Sequence, residues 1–111
     1  KVAEAKSSEM KFALDSAKLE ATKSIQTDLK SLNYLEKSRL MLEKNLQKNT
    51  ESLNILKAQI LTGQSRLNNL IDMHIERIGI INSLLDNTSQ SEKAKYSVAS
   101  ILGVFSELEE L

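Results

Sequence analysis

The sequence predicts an all-α protein built as a coiled coil, on three observations: an apolar repeat of 3.5 residues, an almost complete lack of helix breakers, and few residues of the kinds that sheets favour. Placing Ile25 at heptad position a gives an a column of Ile25, Leu32, Arg39, Leu46, Leu53, Ile60, Leu67, His74 and Ile81. The d column is then Asp28, Leu35, Leu42, Asn49, Leu56, Gly63, Leu70, Arg77 and Leu84. Twelve of these 18 positions are apolar, against only 12 of the other 42 in the same span, so the repeat is not a product of composition. The chain has no Pro and three Gly in 111 residues, which suits long helices, and its two Tyr and two Phe are too few for a sheet or an aromatic core.

Taken in order, residues 2–24 read as a helix with a weak seam. Met10, Leu14, Ala17 and Ala21 recur at helical spacing, but they lie partly out of phase with the main register, and the alanines bury little surface. From Ile25 onward the seam is strong, and two places within it carry turn chemistry: Lys48–Glu51 and Thr62–Ser65, the second containing Gly63. The heptad phase runs straight through both. A chain reversal has no reason to preserve phase, so a single helix over residues 2–87 is expected. Its oligomer seam is Ile25, Leu32, Leu35, Leu42, Leu46, Leu53, Leu56, Ile60, Leu67, Leu70, Ile81 and Leu84, with Arg39, Asn49 and His74 as polar layers. Leucine at every apolar d position favours two parallel strands, and polar layers penalise wrong registers at a cost in stability.

Between Leu67 and Leu85 the apolar stripe is wider than one seam requires, so a second neighbour is expected there. Asp86–Gln90 reads as the clearest break, and Ser89 with Glu92 fits a capping box opening a second helix over 90–111. Val98, Ile101, Leu102 and Phe105 lie on the face of that helix predicted to fold back antiparallel onto 67–85. In a homodimer the two hairpins would end the rod as a four-helix bundle. The alternative architecture is a compact antiparallel three-helix bundle that turns near Asn49 or Gly63. Either way residues 1–111 form one helical module, expected to be a fragment of a longer protein because acidic Glu109 and Glu110 oppose the dipole of a helix ending there.

With 15 basic and 15 acidic residues the chain gives no electrostatic case for nucleic acid or an anionic membrane. It has no Cys, hence no disulfide framework or thiolate metal site, and no apolar run long enough to span a bilayer; an intracellular setting is expected. His74 is the one histidine, and Asp72 and Glu76, which share a face with each other, do not share it with His74, so no metal site is expected. Asn87-Thr88-Ser89 matches a glycosylation acceptor. No phosphate-binding loop, activated nucleophile or paired carboxylate is present, and neither an enzyme nor a cofactor is expected.

The expected function is therefore structural: a coiled-coil dimerisation and scaffolding module whose partners are itself and other proteins, without nucleic acid or direct membrane insertion. Tyr34, Met41, Ile55 and Leu61 lie off the seam as candidate partner contacts. The alternative is a helical-bundle docking or regulatory domain of a trafficking or secretion complex.

Overall fold

The computed structural model of the chain describes residues 2–110 and contains two helices, α1 (Val2–Leu61) and α2 (Leu67–Glu109), joined by residues 62–66. A long helix followed by a second one is what the sequence predicts. The point of reversal differs. The first helix ends at Leu61 instead of running to residue 87, and the second begins at Leu67 instead of residue 90.

Backbone geometry decides the position of the turn. Gly63 has φ 76°, a left-handed conformation that costs a side-chain-bearing residue about 1–2 kcal/mol and costs Gly little. It lets the Gly63 N–H reach the Ile60 carbonyl at 3.1 Å and the Gln64 N–H reach the Gln59 carbonyl at 2.7 Å, the paired bonds of a Schellman cap. The Thr62 hydroxyl donates to the carbonyls of Ala58 and Gln59, so the last turn of α1 is satisfied locally.

The two other polar clusters stay helical because their side chains find helical partners. Thr50 donates its hydroxyl to the Leu46 carbonyl and Thr88 to the Leu84 carbonyl, each at 3.0 Å, and Gln90 Nε2 donates to Asp86 Oδ2 at 2.7 Å. The predicted capping box at Ser89 and Glu92 is consequently absent. Both residues are exposed in mid-helix, and Glu92 pairs with Lys95 at 3.5 Å.

Contacts divide the chain into two units, Tyr34–Gln90 and Lys1–Asn33 with Ser91–Leu111. The first is an antiparallel hairpin: Asn49 meets Met73, while the earlier Leu35 meets the later Asn87. Its core holds the two buried apolar side chains of the described residues, Leu35 and Leu53. In the second unit, residues 17–24 line a groove with residues 100–108 and residues 23–28 line one with Ser97 and Ile101, which is again antiparallel. Small side chains on this seam, Ala17, Ala21 and Ala94, leave it half-buried throughout, and the Ser97 hydroxyl donates to Asp28 Oδ2 at 2.7 Å.

The three glycines give a test of this account. Gly63→Ala should lower stability by about 1 kcal/mol because of its positive φ. Gly79→Ala and Gly103→Ala, in helix interiors with nothing within 4 Å of an added Cβ, should each raise it by about 0.5–1 kcal/mol. Urea titrations followed by circular dichroism check both signs; a neutral Gly63→Ala would mean that the turn is not fixed by its backbone.

Candidate interaction surface

Two buried asparagines determine which faces of the Tyr34–Gln90 hairpin point inward. Asn49 of α1 is 3% exposed and donates its Nδ2 to the Met73 carbonyl of α2 at 3.1 Å. Asn87 of α2 is 5% exposed and donates its Nδ2 to the Leu35 carbonyl of α1 at 2.9 Å. Each acceptor is a helical carbonyl using its second lone pair, so each helix supplies one donor and one acceptor. Arg77 adds a third tie, with Nη1 donating to Thr50 Oγ1 at 2.8 Å and lying 3.4 Å from Asn49 Oδ1. Turning α2 so that these amides no longer meet a carbonyl would leave them buried and unpaired, at a cost of about 1–3 kcal/mol each.

With the faces fixed, the sequence assignments divide. On α1 the predicted phase coincides with the covered face: Leu35, Asn49 and Leu53 are buried, and Ile25, Leu32, Leu42, Leu46, Leu56 and Ile60 are half-buried. What covers them in the single chain is its own second helix. Arg39 is half-buried, but its guanidinium turns along α1 to pair with Glu36 and with Glu43, so it ties no second helix in place. Those two carboxylates, Glu36 first, hold Arg39 protonated more firmly than an ordinary arginine.

On α2 only the predicted d column persists. Leu70, Arg77 and Leu84 face α1, and the column continues through Ser91, Val98 and Phe105 in the other unit. The predicted a column does not: Leu67, His74 and Ile81 are exposed, and Met73, Ile80 and Asn87 take their place. The reversal resets the phase, which the continuous reading could not allow. His74 is therefore not a polar layer of the α1–α2 seam. Ile101 is half-buried, and Leu102, also predicted to face inward, is exposed.

A second seam is left bare on the first half of α2. Leu67, Ile71, His74, Ile78, Ile81 and Leu85 repeat at intervals of four and three, the spacing of a coiled-coil stripe. Ile71, Ile78 and Leu85 each follow an α1-facing residue by one position, which turns them about 100° around the helix. With Ile75 on the flank, the apolar members are 37–64% exposed. On an area-transfer scale they present about 400 Å² of apolar surface, the size of the largest patch on a typical monomer, which is often functional. This is the width noted in the sequence between Leu67 and Leu85. Tyr34, Met41, Ile55 and Leu61 on α1 are exposed as well.

The groove at Leu40, Met41, Glu43, Lys44 and Gln47 is formed by α1 alone and opens to solvent. Among the described residues no three His, Asp or Glu side chains come together to hold a metal ion, and no helix is long and apolar enough to cross a membrane. The Asn87 amide, committed to Leu35, is not an accessible glycosylation acceptor in the folded hairpin. Protein-family models, curated proteins and solved structures all give no match to the chain.

Asn87→Asp tests the amide layer. It removes the donor to Leu35 and places a carboxylate against a carbonyl, an expected loss of about 2–4 kcal/mol at pH 7. Burial without a donor raises the introduced carboxyl's folded-state pKa above its unfolded value, so stability falls as pH rises through its titration. It is partly regained at low pH, where the neutral acid donates to Leu35. Urea unfolding of variant and parent at pH 7 and pH 4 reads the difference, and a penalty independent of pH would contradict the assignment.

Proposed function

We propose that this chain is a structural coiled-coil module that acts by protein–protein association, first with a second copy of itself, and so links or spaces the elements attached to it. The bare apolar seam from Leu67 to Leu85 carries the reading, because a helix with one neighbour needs one stripe and α2 has two. An uncharged stripe of this kind is costly in water and is relieved by a partner helix. The hairpin fits a scaffold: its register is held by side-chain-to-backbone bonds. No chemical step forms part of the proposal.

The reversal at Gly63 supports a second reading, a helical docking or regulatory module of a larger complex, with the same stripe receiving a helix from another protein.

Light scattering and sedimentation equilibrium separate the two. Self-association predicts a mass rising from 12.4 kDa towards twice that value with concentration, with a midpoint in the micromolar range expected of a small interface. Ile71→Glu combined with Ile78→Glu should abolish the rise and leave the circular dichroism of the hairpin intact, since neither residue faces α1. A single-chain mass up to about 100 μM, some hundredfold above a micromolar midpoint, would overturn self-association and leave the docking reading.

A further inference from the structure

We infer that two copies of this chain pair antiparallel through α2 alone, about a two-fold axis level with Glu76, with His74 of each copy set into the apolar seam opposite Ile78 of the other. The inference rests on the self-association just proposed and supplies its geometry.

The stripe is its own complement when reversed. Turned end for end about position 76, Leu67 falls on Leu85, Ile71 on Ile81 and His74 on Ile78, so the outer layers match in residue type and in spacing. An isologous dimer demands this property of a patch, because each contact occurs twice with the roles exchanged. Parallel pairing would instead set His74 against His74 and place two imidazoles in one layer.

Charge favours the same occupant. No Lys, Arg, Asp or Glu stands in the stripe; Asp72, Glu76 and Asp86 lie towards the opposite side of α2, and Arg77 is engaged with Thr50 and Asn49. A second copy therefore meets no like charge across the seam. A basic or acidic partner helix finds nothing to pair with.

The area suits a weak dimer. About 400 Å² of apolar surface from each copy, the flanking Ile75 included, makes about 800 Å² in total, below the about 1,200 Å² of stable specific interfaces and in keeping with a concentration-dependent pair. The stripe spans about 27 Å of helix, enough for six interlocking layers. All of it lies in the Tyr34–Gln90 hairpin, so its geometry depends on that unit only.

The chain has no native cysteine, so single introduced thiols report cleanly. Leu67→Cys and Leu85→Cys, each treated alone with a short bis-maleimide, should give little linked dimer, whereas their equimolar mixture should link several-fold more. Efficient linking of either variant with itself would show parallel pairing. Two-chain mass without any linking would place the interface on another face, and both results overturn the inference while leaving the dimer standing. A single-chain mass would remove the dimer itself.

A second measurement leaves the stripe intact. Spin labels at Asn68→Cys should lie about 25 Å or more apart in the antiparallel pair, and about 10–15 Å apart if the copies run parallel. His74→Ile should tighten the dimer about tenfold by replacing the one polar member of the seam; an unchanged or weaker dissociation constant would show that His74 lies outside it.

Discussion

The architecture depends on a reciprocal exchange between two side-chain amides and two backbone carbonyls. Asn49 reaches across to Met73, and Asn87 reaches back to Leu35. Apolar contact is non-directional, and a pair of helices lined with Leu and Ile packs tolerably at several offsets. Among the described residues Leu35 and Leu53 are the buried apolar side chains, each still 6% exposed, so packing alone supplies little discrimination. The amides provide it by penalising every offset that leaves them buried and unbonded. The first hydrogen bond lies near the turn and the second at the far limit of the same unit, so together they set both the rotation of α2 and its position along α1.

A two-helix hairpin gives each helix one covered face. For α1 that matches the sequence: one strong seam, with polar residues over most of the remaining circumference. For α2 it does not, because the first half carries a second seam of nearly equal quality. The apolar surface of this unit is thus divided between a stripe that makes the hairpin and a stripe that the hairpin does not use. The Lys1–Asn33 and Ser91–Leu111 unit differs in kind. Its seam is rich in Ala and Ser, and among the described residues its cross-helix side-chain bond joins Ser97 to Asp28.

The sequence made the class, the α1 phase and the inward role of Asn49 legible, because a heptad repeat is a direct statement about one helix face. The reversal was not legible by the same reasoning. Unbroken phase through Gly63 looked like continuity, yet only the Leu70, Arg77 and Leu84 column continued, while Leu67, His74 and Ile81 belonged to a different stripe. A signal for the true arrangement was present. Met73, Ile80, Asn87, Ala94, Ile101 and Leu108 form a seven-residue repeat running through Asp86–Gln90, in keeping with a helix continuous through that stretch. The polar cluster itself misled because Thr88 and Gln90 bond within the helix. Such local bonds are a property of rotamers and backbone, and residue type alone does not reveal them.

The position of the glycine turn also sets an order in which the chain closes. The Asn49–Met73 bond joins residues 24 apart in sequence, and the Asn87–Leu35 bond joins residues 52 apart. For a free chain the longer closure carries about 0.6 kcal/mol of additional entropy cost. Once the turn and the nearer bond have formed, however, the outer pair is separated by two short helical arms that are already aligned. The hairpin is thereby built to zip outward from Gly63. The seam carrying Leu53 and Met73 is thus the one whose closure costs the least chain entropy.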